Sequence, residues 1–344
     1  WMGLARVLFY LGRQNEALVL VRKARDPLET KCRSSTYDYL SYLDEAEFMM
    51  MRGDEAACVS ALRASLAVAK LQNFQNHTWW RPSVMSRLYA IALTHDIEPD
   101  YVRRIIKLRR LTPPADAPIP DTWPYPVKLH TLGRFAVMRD DKPLSRSPSH
   151  QKPLELLQAL VALGGREVDE DKLAELFWPE AEGDAAIQNL KINVHRLRKL
   201  LPENTLVWTE GKLSLDAHRV WVDLWALERE LNRLDQASPA EAPEQAALAQ
   251  RTLSLYRGEF LSGNTESWAL AARERLRHKT LRIITRVAEA VEDRDSASAI
   301  PIYERVIEFD PLRESLYQGL MRCYRVLHQP AEVEHVYRRC RDTL

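Results

Sequence analysis

The chain has 344 residues, 46% of them apolar, with 49 Lys+Arg against 48 Asp+Glu, an ordinary soluble composition long enough for two or three domains. A net charge of +1 excludes a uniformly basic nucleic-acid coat, and no unbroken apolar stretch approaches the ~20 residues of a membrane span. No signal peptide is visible, and Trp1 already lies within a helical pattern, so a fragment of a longer cytoplasmic protein is expected.

Residues 1–111 predict helices throughout. "FYLGRQNEALVLVRKA" and "MMMRGDEAACVSALRASLAVA" look like two copies of one helix–turn–helix edge, with Gly12 and Gly53 41 apart and Ala17 and Ala56 39 apart. A period near 40 marks an α-solenoid similar to tetratricopeptide (TPR) arrays. "YVRRIIKLRR" closes this segment with Val102, Ile105 and Ile106 inward and Arg103, Lys107 and Arg110 on one face. That face is either solvated or a place for DNA or a phosphorylated ligand. Trp79 and Trp80 either pack a helix end or line an effector pocket.

The stretch 112–126 holds six of the nineteen prolines and predicts a semi-rigid linker. Alternation begins after it. Val127, Leu129 and Thr131 face one way, Lys128 and His130 the other, and Asp140-Asp141 supplies a turn. Three helical patterns follow: one ending at Gly164-Gly165, one capped by Asp169 and stopped by Pro179, and "IQNLKINVHRLRKLL" over 187–201. A hairpin in "TLVWTEGKLSLDAHRVWVD" turns at Gly211-Lys212. Trp123, Trp208 and Trp221 are read as covers of small sheets rather than ligand contacts.

The third helix carries Lys191, His195, Arg196, Arg198 and Lys199 and no acid. Leu190, Val194, Leu197 and Leu201 form its apolar stripe, and Asp184 precedes it as a cap. Alone, such a segment is a solvated amphipathic helix or a face for phosphates and base edges. Its setting, strands then three helices then a hairpin, is that of a winged helix with this segment as recognition helix, and favours the second reading.

Residues 223–344 return to a helical pattern, interrupted by a loop at 237–243. Ala297 and Ala331, Ile302 and Val336, and Tyr303 and Tyr337 each lie 34 apart, the tetratricopeptide period, with Pro311 ending a repeat. The expected fold is therefore mainly α: a TPR-like α-solenoid at 1–111, a linker at 112–126, a central α+β winged helix-turn-helix at 127–222, and a C-terminal TPR-like helical domain at 223–344.

"VKLHTLGRFAVMRDDKPL", "LAELFWPEAEGDAAIQNLKINVHRLRKLL" and "VWVDLWALE" resemble the SARP class of bacterial activators, with an OmpR-type winged helix. "LYRGEFLSG", "WALAARERLR" and "IEFDPLRESLYQGLMRCYRVL" resemble the bacterial transcriptional activator domain that follows it, so the likeness spans about 127–344. The front segment is similar to the solenoid of MalT-type regulators. The resemblance implies major-groove contacts from Gln188, Asn189, Ile192, Asn193, His195, Arg196 and Lys199. In these roles amides suit adenine, Arg suits guanine, and Ile192 suits a thymine methyl. Lys191 and Arg198 are expected on phosphates, and Lys212 on the wing at the minor groove or a phosphate. Here the wing reads "EGKLSL", without the family's aromatic residue.

The loop 178–184, with Trp178, Glu180 and Glu182, is expected either to face RNA polymerase or its sigma subunit or to serve as a plain connector. Further expected partners are double-stranded DNA, a second copy of the chain on DNA, and an effector ligand or protein on the TPR surfaces; a membrane is not expected. No GxxxxGK[ST], HExxH or GxSxG occurs, and Cys32, Cys58, Cys323 and Cys340 lack zinc spacing and read as reduced thiols. No enzyme, cofactor or metal is expected. Two functions remain: a sequence-specific transcriptional activator, or a TPR-type protein-interaction scaffold without sequence-specific DNA binding.

Overall fold

The structure, a computed structural model, describes residues 1–26, 34–114, 117, 119–120, 122–145, 147–181, 183–236 and 242–344. Cys32, Glu182, part of the proline-rich linker and most of the loop at 237–243 lie outside them. Among the described residues no helix is long and apolar enough to cross a membrane. The chain forms two compact units, 1–124 and 125–344.

The first unit is helical: α1 (Met2–Tyr10), α2 (Gln14–Lys23), α3 (Ser35–Arg52), α4 (Glu55–Gln72), α5 (Pro82–Thr94) and α6 (Pro99–Arg109). Gly12 and Gly53 turn the chain with φ of +85° and +77°, a conformation that a Cβ would strain. Ala17 is buried but Ala56 is exposed. The repeat is in phase at 41 rather than 39, and Cys58, 41 residues after Ala17, fills the equivalent buried place. Val102, Ile105 and Ile106 point inward as the periodicity requires. Of the basic residues expected on one face, Arg103 pairs with Asp100 at 3.0 Å, Lys107 is exposed on the same helix, and Arg110 has left the helix as a left-handed cap with φ +50°. The two tryptophans take the packing role. Trp79 lies under the Arg6 guanidinium at 5.5 Å, and Trp80 sits between Arg109 and Tyr89. Trp123 is buried.

A charged knot crosses this unit. Asp44 and Glu47 of α3 are buried and meet Arg6 and Tyr10 of α1 and Arg81, the residue before α5. Burial pushes Asp44 up to about 6, outweighing the pull of Arg6 and Arg81 and reinforced by Glu47. Burial pushes the nearby His77 down to about 4, helped by Arg6. A carboxyl raised on folding adds stability as pH falls from about 6 toward the unfolded value near ~3.9. A lowered histidine does the reverse, losing stability as pH falls from ~6.5 toward about 4. The two slopes oppose each other. Relative to wild type, melting of Asp44→Asn between pH 6.5 and 4 should show a steeper decline with acid, and His77→Phe a rise. Parallel profiles in all three proteins would show that neither group titrates as its burial requires.

The second unit begins with β1 (Val127–His130), β2 (Ala136–Arg139) and β3 (Lys142–Pro143), then α7 (Gln151–Ala162), β4 (Val168–Asp169), α8 (Glu170–Phe177) and α9 (Gly183–Leu200). β5 (Leu206–Thr209), β6 (Lys212–Leu215) and β7 (Val220–Val222) follow, and then α10 (Asp223–Gln236), α11 (Ala242–Leu255), α12 (Ser267–Glu292), α13 (Ser296–Phe309), α14 (Glu314–Val326) and α15 (Pro330–Thr343). The strands make two sheets, ordered β3-β2-β1-β7 and β4-β6-β5. The predicted meander is present, with Val127, Leu129 and Thr131 buried and Asp140 and Asp141 in a positive-φ turn. β7 joins it in parallel with β1, pairing Val127 with Val220 and Leu129 with Val222. Trp221 on β7 lies against the His130 ring at 5.6 Å, and Trp208 packs on the core.

The helices that follow β7 dock directly on this sheet. Asp223, 4% exposed, accepts the Thr131 amide and hydroxyl at 2.8 and 2.6 Å, the Leu132 amide at 2.9 Å and the Leu224 amide at 2.8 Å. Leu132 bridges to Phe260, and Leu261 and Ser262 donate backbone N–H groups to Thr131 and Gly133. A Cβ on Gly258 would stand 3.2 Å from the Gly133 Cα, so glycine permits this close approach. Arg273 holds the loop from within, donating to the carbonyls of Phe260, Leu261 and Asn264. Further along, α13 and α15 repeat at 34 residues, with Ile302 and Val336 both buried. Gly319 of α14 lies where a Cβ would collide with the Tyr303 ring. Tyr337, the partner of buried Tyr303 in the repeat, is 53% exposed.

Asp223→Ala leaves three buried amides and a hydroxyl without their acceptor, so a loss of about 3 kcal/mol is expected. Urea unfolding measures it, and hydrogen exchange at Thr131, Leu132 and Leu224 should accelerate with it. Unchanged exchange at those three amides would show that the carboxylate is dispensable.

Candidate nucleic-acid interface

The surface built by α9 and the β5–β6 hairpin rests on a single core. Ala186, Leu190, Val194, Leu197 and Leu201 turn inward into the buried cluster that also holds Leu156, Leu157 and Leu160 of α7 and Leu173 of α8, the two helices against which α9 packs. Each buried leucine contributes ~2 kcal/mol of transfer free energy, so the stripe sets the rotation of the helix about its axis. The helix begins two residues earlier than the cap expectation: Gly183 is its first residue, and Asp184 stands in the first turn, where its charge suits the positive end of the helix.

That rotation exposes Gln188, Lys191, Ile192, His195, Arg196, Arg198 and Lys199, with Asn189 half-buried beside them. Among the described residues none of the four cations, nor His195, meets a carboxylate within ion-pair distance. Ile192, 42% exposed, is the apolar member of the face. Asn193 departs from the expectation. It is 7% exposed, its Nδ2 donates to the Asn189 carbonyl at 2.9 Å, and its Oδ1 has no partner. At i+3 from Leu190 and i−4 from Leu197 it lies on the apolar stripe, so it cannot reach a groove.

The hairpin turns at Glu210 and Gly211, with φ of +53° and +74°, one residue earlier than the expected Gly211-Lys212. Two positive-φ residues match the twist of the flanking strands, and glycine takes the second at little cost. Lys212 opens β6, pairs with Asp169 of β4 and is exposed. The Glu170 amide donates to the Gly211 carbonyl at 2.8 Å, pinning the tip to the start of α8. Asp169, Glu170 and Glu210 therefore crowd the one lysine of the turn, and none has an ion-pair partner among the described residues. Their field opposes that of Lys212, whereas nothing comparable opposes the cations of α9.

The loop between α8 and α9 is only partly exposed. Trp178 is half-buried against Phe177, whose ring lies 6.5 Å from that of Trp268 on α12. Glu180 is exposed. Asp169 stands at the start of α8 as expected, but its side chain makes no cap hydrogen bond. The residues that sequence reasoning missed are those holding the surface in place: Asp223, Arg273 and Gly258. "VWVDLW" contains the available signal, an acid where a strand gives way to a helix.

Residues 222–344 match the family described as bacterial transcriptional activator domain. Over 213 residues the chain is 28% identical to the Regulatory protein AfsR of Streptomyces griseus, covering 61% of this chain and 22% of that protein. Over 220 residues it is also 28% identical to the Regulatory protein AfsR of Streptomyces coelicolor, covering 61% and 21%. The chain thus spans about a fifth of the length of these curated relatives. A solved structure of Mycobacterium tuberculosis EmbR in complex with a low affinity phosphopeptide aligns with a TM-score of 0.47 at 22% identity, covering 64% of this chain and 60% of that one. Through residues 222–344 and the stretch shared with these relatives, the chain is similar to SARP-type bacterial transcriptional activators.

The contrast between α9 and the hairpin tip has a direct readout. On immobilised heparin, a polyanion with no base sequence, Arg196→Glu should elute at clearly lower salt than wild type, and Lys212→Glu should shift by about half as much or less. Equal shifts would mean that the carboxylates around Lys212 do not offset it.

Proposed function

We propose that this chain activates transcription by inserting α9 into the major groove of a specific DNA site. The observation that carries the reading is the outward face of α9: four cations, an imidazole, two amides and one apolar side chain, with no opposing carboxylate among the described residues. In this reading Arg196 and Gln188 meet base edges, a guanine and an adenine, and His195, Lys199, Asn189 and Ile192 fill the groove around them. Lys191 and Arg198 project sideways toward the groove walls and hold phosphates, which position the helix without reading sequence. Lys212 adds a weaker phosphate contact. Asn193 supports the helix and reads nothing.

Glu180, exposed between α8 and α9, supplies negative charge for a basic surface of RNA polymerase or its sigma subunit. The helical repeats on either side supply surfaces for an effector ligand or protein, and a second copy on DNA would double the read site.

Competition binding with operator and scrambled duplexes over a salt series tests the reading. Arg196→Ala and Gln188→Ala should each cost ~1–3 kcal/mol on the operator and narrow the gap between the two duplexes. Lys191→Ala and Arg198→Ala should weaken both duplexes alike and lower the salt slope by about one ion. If all four folded variants bind DNA as wild type does, α9 is not a reading helix, and the chain is better described as a helical-repeat scaffold.

A further inference from the structure

A second charged feature lies away from α9, in the seam where the activator helices meet the winged helix. It is a groove of about 440 Å³. Its floor is apolar, formed by Leu224, Phe260 and Leu276, all buried. Its rim carries Lys172 of α8 and Arg275 and Lys279 of α12, against one carboxylate, Glu228 of α10. Three cations less one carboxylate give the lining a formal charge of +2. Arg275 donates to the Ala162 carbonyl at 3.3 Å and Lys279 to the Asn232 Oδ1 at 2.9 Å. Both acceptors are neutral, so they orient the cations without cancelling their charge. Among the described residues neither Lys172 nor Glu228 has an ion-pair partner.

We propose that this groove binds a small organic dianion, a phosphomonoester with a compact apolar substituent. The volume lies within the ~300–1,000 Å³ of ordinary small-molecule sites. A charge of +2 beside a low-dielectric floor favours a dianion over a neutral ligand, and the planar guanidinium of Arg275 suits two phosphoryl oxygens. The apolar floor in turn distinguishes an organic phosphate from the free ion, because only the former has an apolar substituent that leaves water on lying against it. An occupant would touch α7 and α8 on one side and α10 and α12 on the other. Its binding would stabilise the seam that holds the reading helix to the activator helices.

The test uses the 344-residue chain without DNA, so its outcome is independent of the major-groove reading. Isothermal titration is run with 1-naphthyl phosphate, 1-naphthol and inorganic phosphate. Naphthyl phosphate should bind at least tenfold more tightly than either of the others and should perturb the fluorescence of Trp225, whose Nε1 donates to the carbonyl of the groove residue Gly164 at 3.2 Å. That perturbation should vanish in Trp225→Phe. Arg275→Glu and Lys279→Glu should each weaken binding tenfold or more, while Lys279→Arg retains it and Arg196→Ala has no effect. Circular dichroism establishes folding, and Lys172→Glu, at an exposed position of α8, replaces either variant that fails to fold. No binding at millimolar ligand, equal binding of inorganic phosphate, equal binding of naphthol, or indifference to charge reversal in folded variants would each overturn the proposal.

Discussion

The second unit depends on one buried carboxylate. Asp223 receives two consecutive amides and a hydroxyl from the end of β1, and also an amide from the first turn of α10. A carboxylate without water is tolerated only when its oxygens are fully used, and here they are used by two domains at once. The consequence is a fixed relation between them. Thr131 also accepts from Leu261, and Gly133 both donates to Glu259 and accepts from Ser262, so the loop before α12 closes on the same few residues that Asp223 holds. His130, beside this carboxylate at 4.0 Å, is nevertheless held below the ordinary imidazole value because burial outweighs the attraction of Asp223.

From that anchor the placement of α9 follows by packing. The long helix α12 lies along α7, with Asn264 in the loop before α12 donating to Gln158 and Arg275 reaching the last turn of α7. α7 in turn supplies the leucines on which α9 sits. The outward face of α9 is thus set partly by residues far along the chain, such as Asn264 and Arg275. The solenoid repeats could not do this alone, since each repeat touches only its neighbours.

Much of this was legible in the sequence where a period could be counted. The 3.6-residue stripe of α9, the alternation after Val127 and the 34-residue spacing of Ile302 and Val336 all express burial on one side of an element, and burial is what the structure reports at those positions. Asn193 was assigned to the groove through the family resemblance, but its phase is that of Leu190 and Leu197, and it is buried with them. Ala56 was misaligned because a small residue was matched to a small residue, when the turn at Gly53 defines the register and selects Cys58. The parallel pairing of β7 with β1 and the role of Asp223 were not legible. They join residues over ninety positions apart, and no local pattern encodes which strand a short apolar run will choose. The wing was half legible. Its turn was found within a residue, but the acids gathered at its tip come from β4 and α8 as well as the hairpin, and only the fold brings them together.

The parallel pairing of β1 and β7 also has a mechanical side. The chain enters the winged helix at the start of β1 and leaves it at the end of β7, and these strands lie side by side in the same direction. A pull applied through residues 126 and 223 would load the β1–β7 hydrogen bonds in shear, all together rather than one after another. The ninety residues between them would carry little of that tension. A domain mounted in this way can be tugged through its neighbouring helices while the exposed face of α9 stays undeformed.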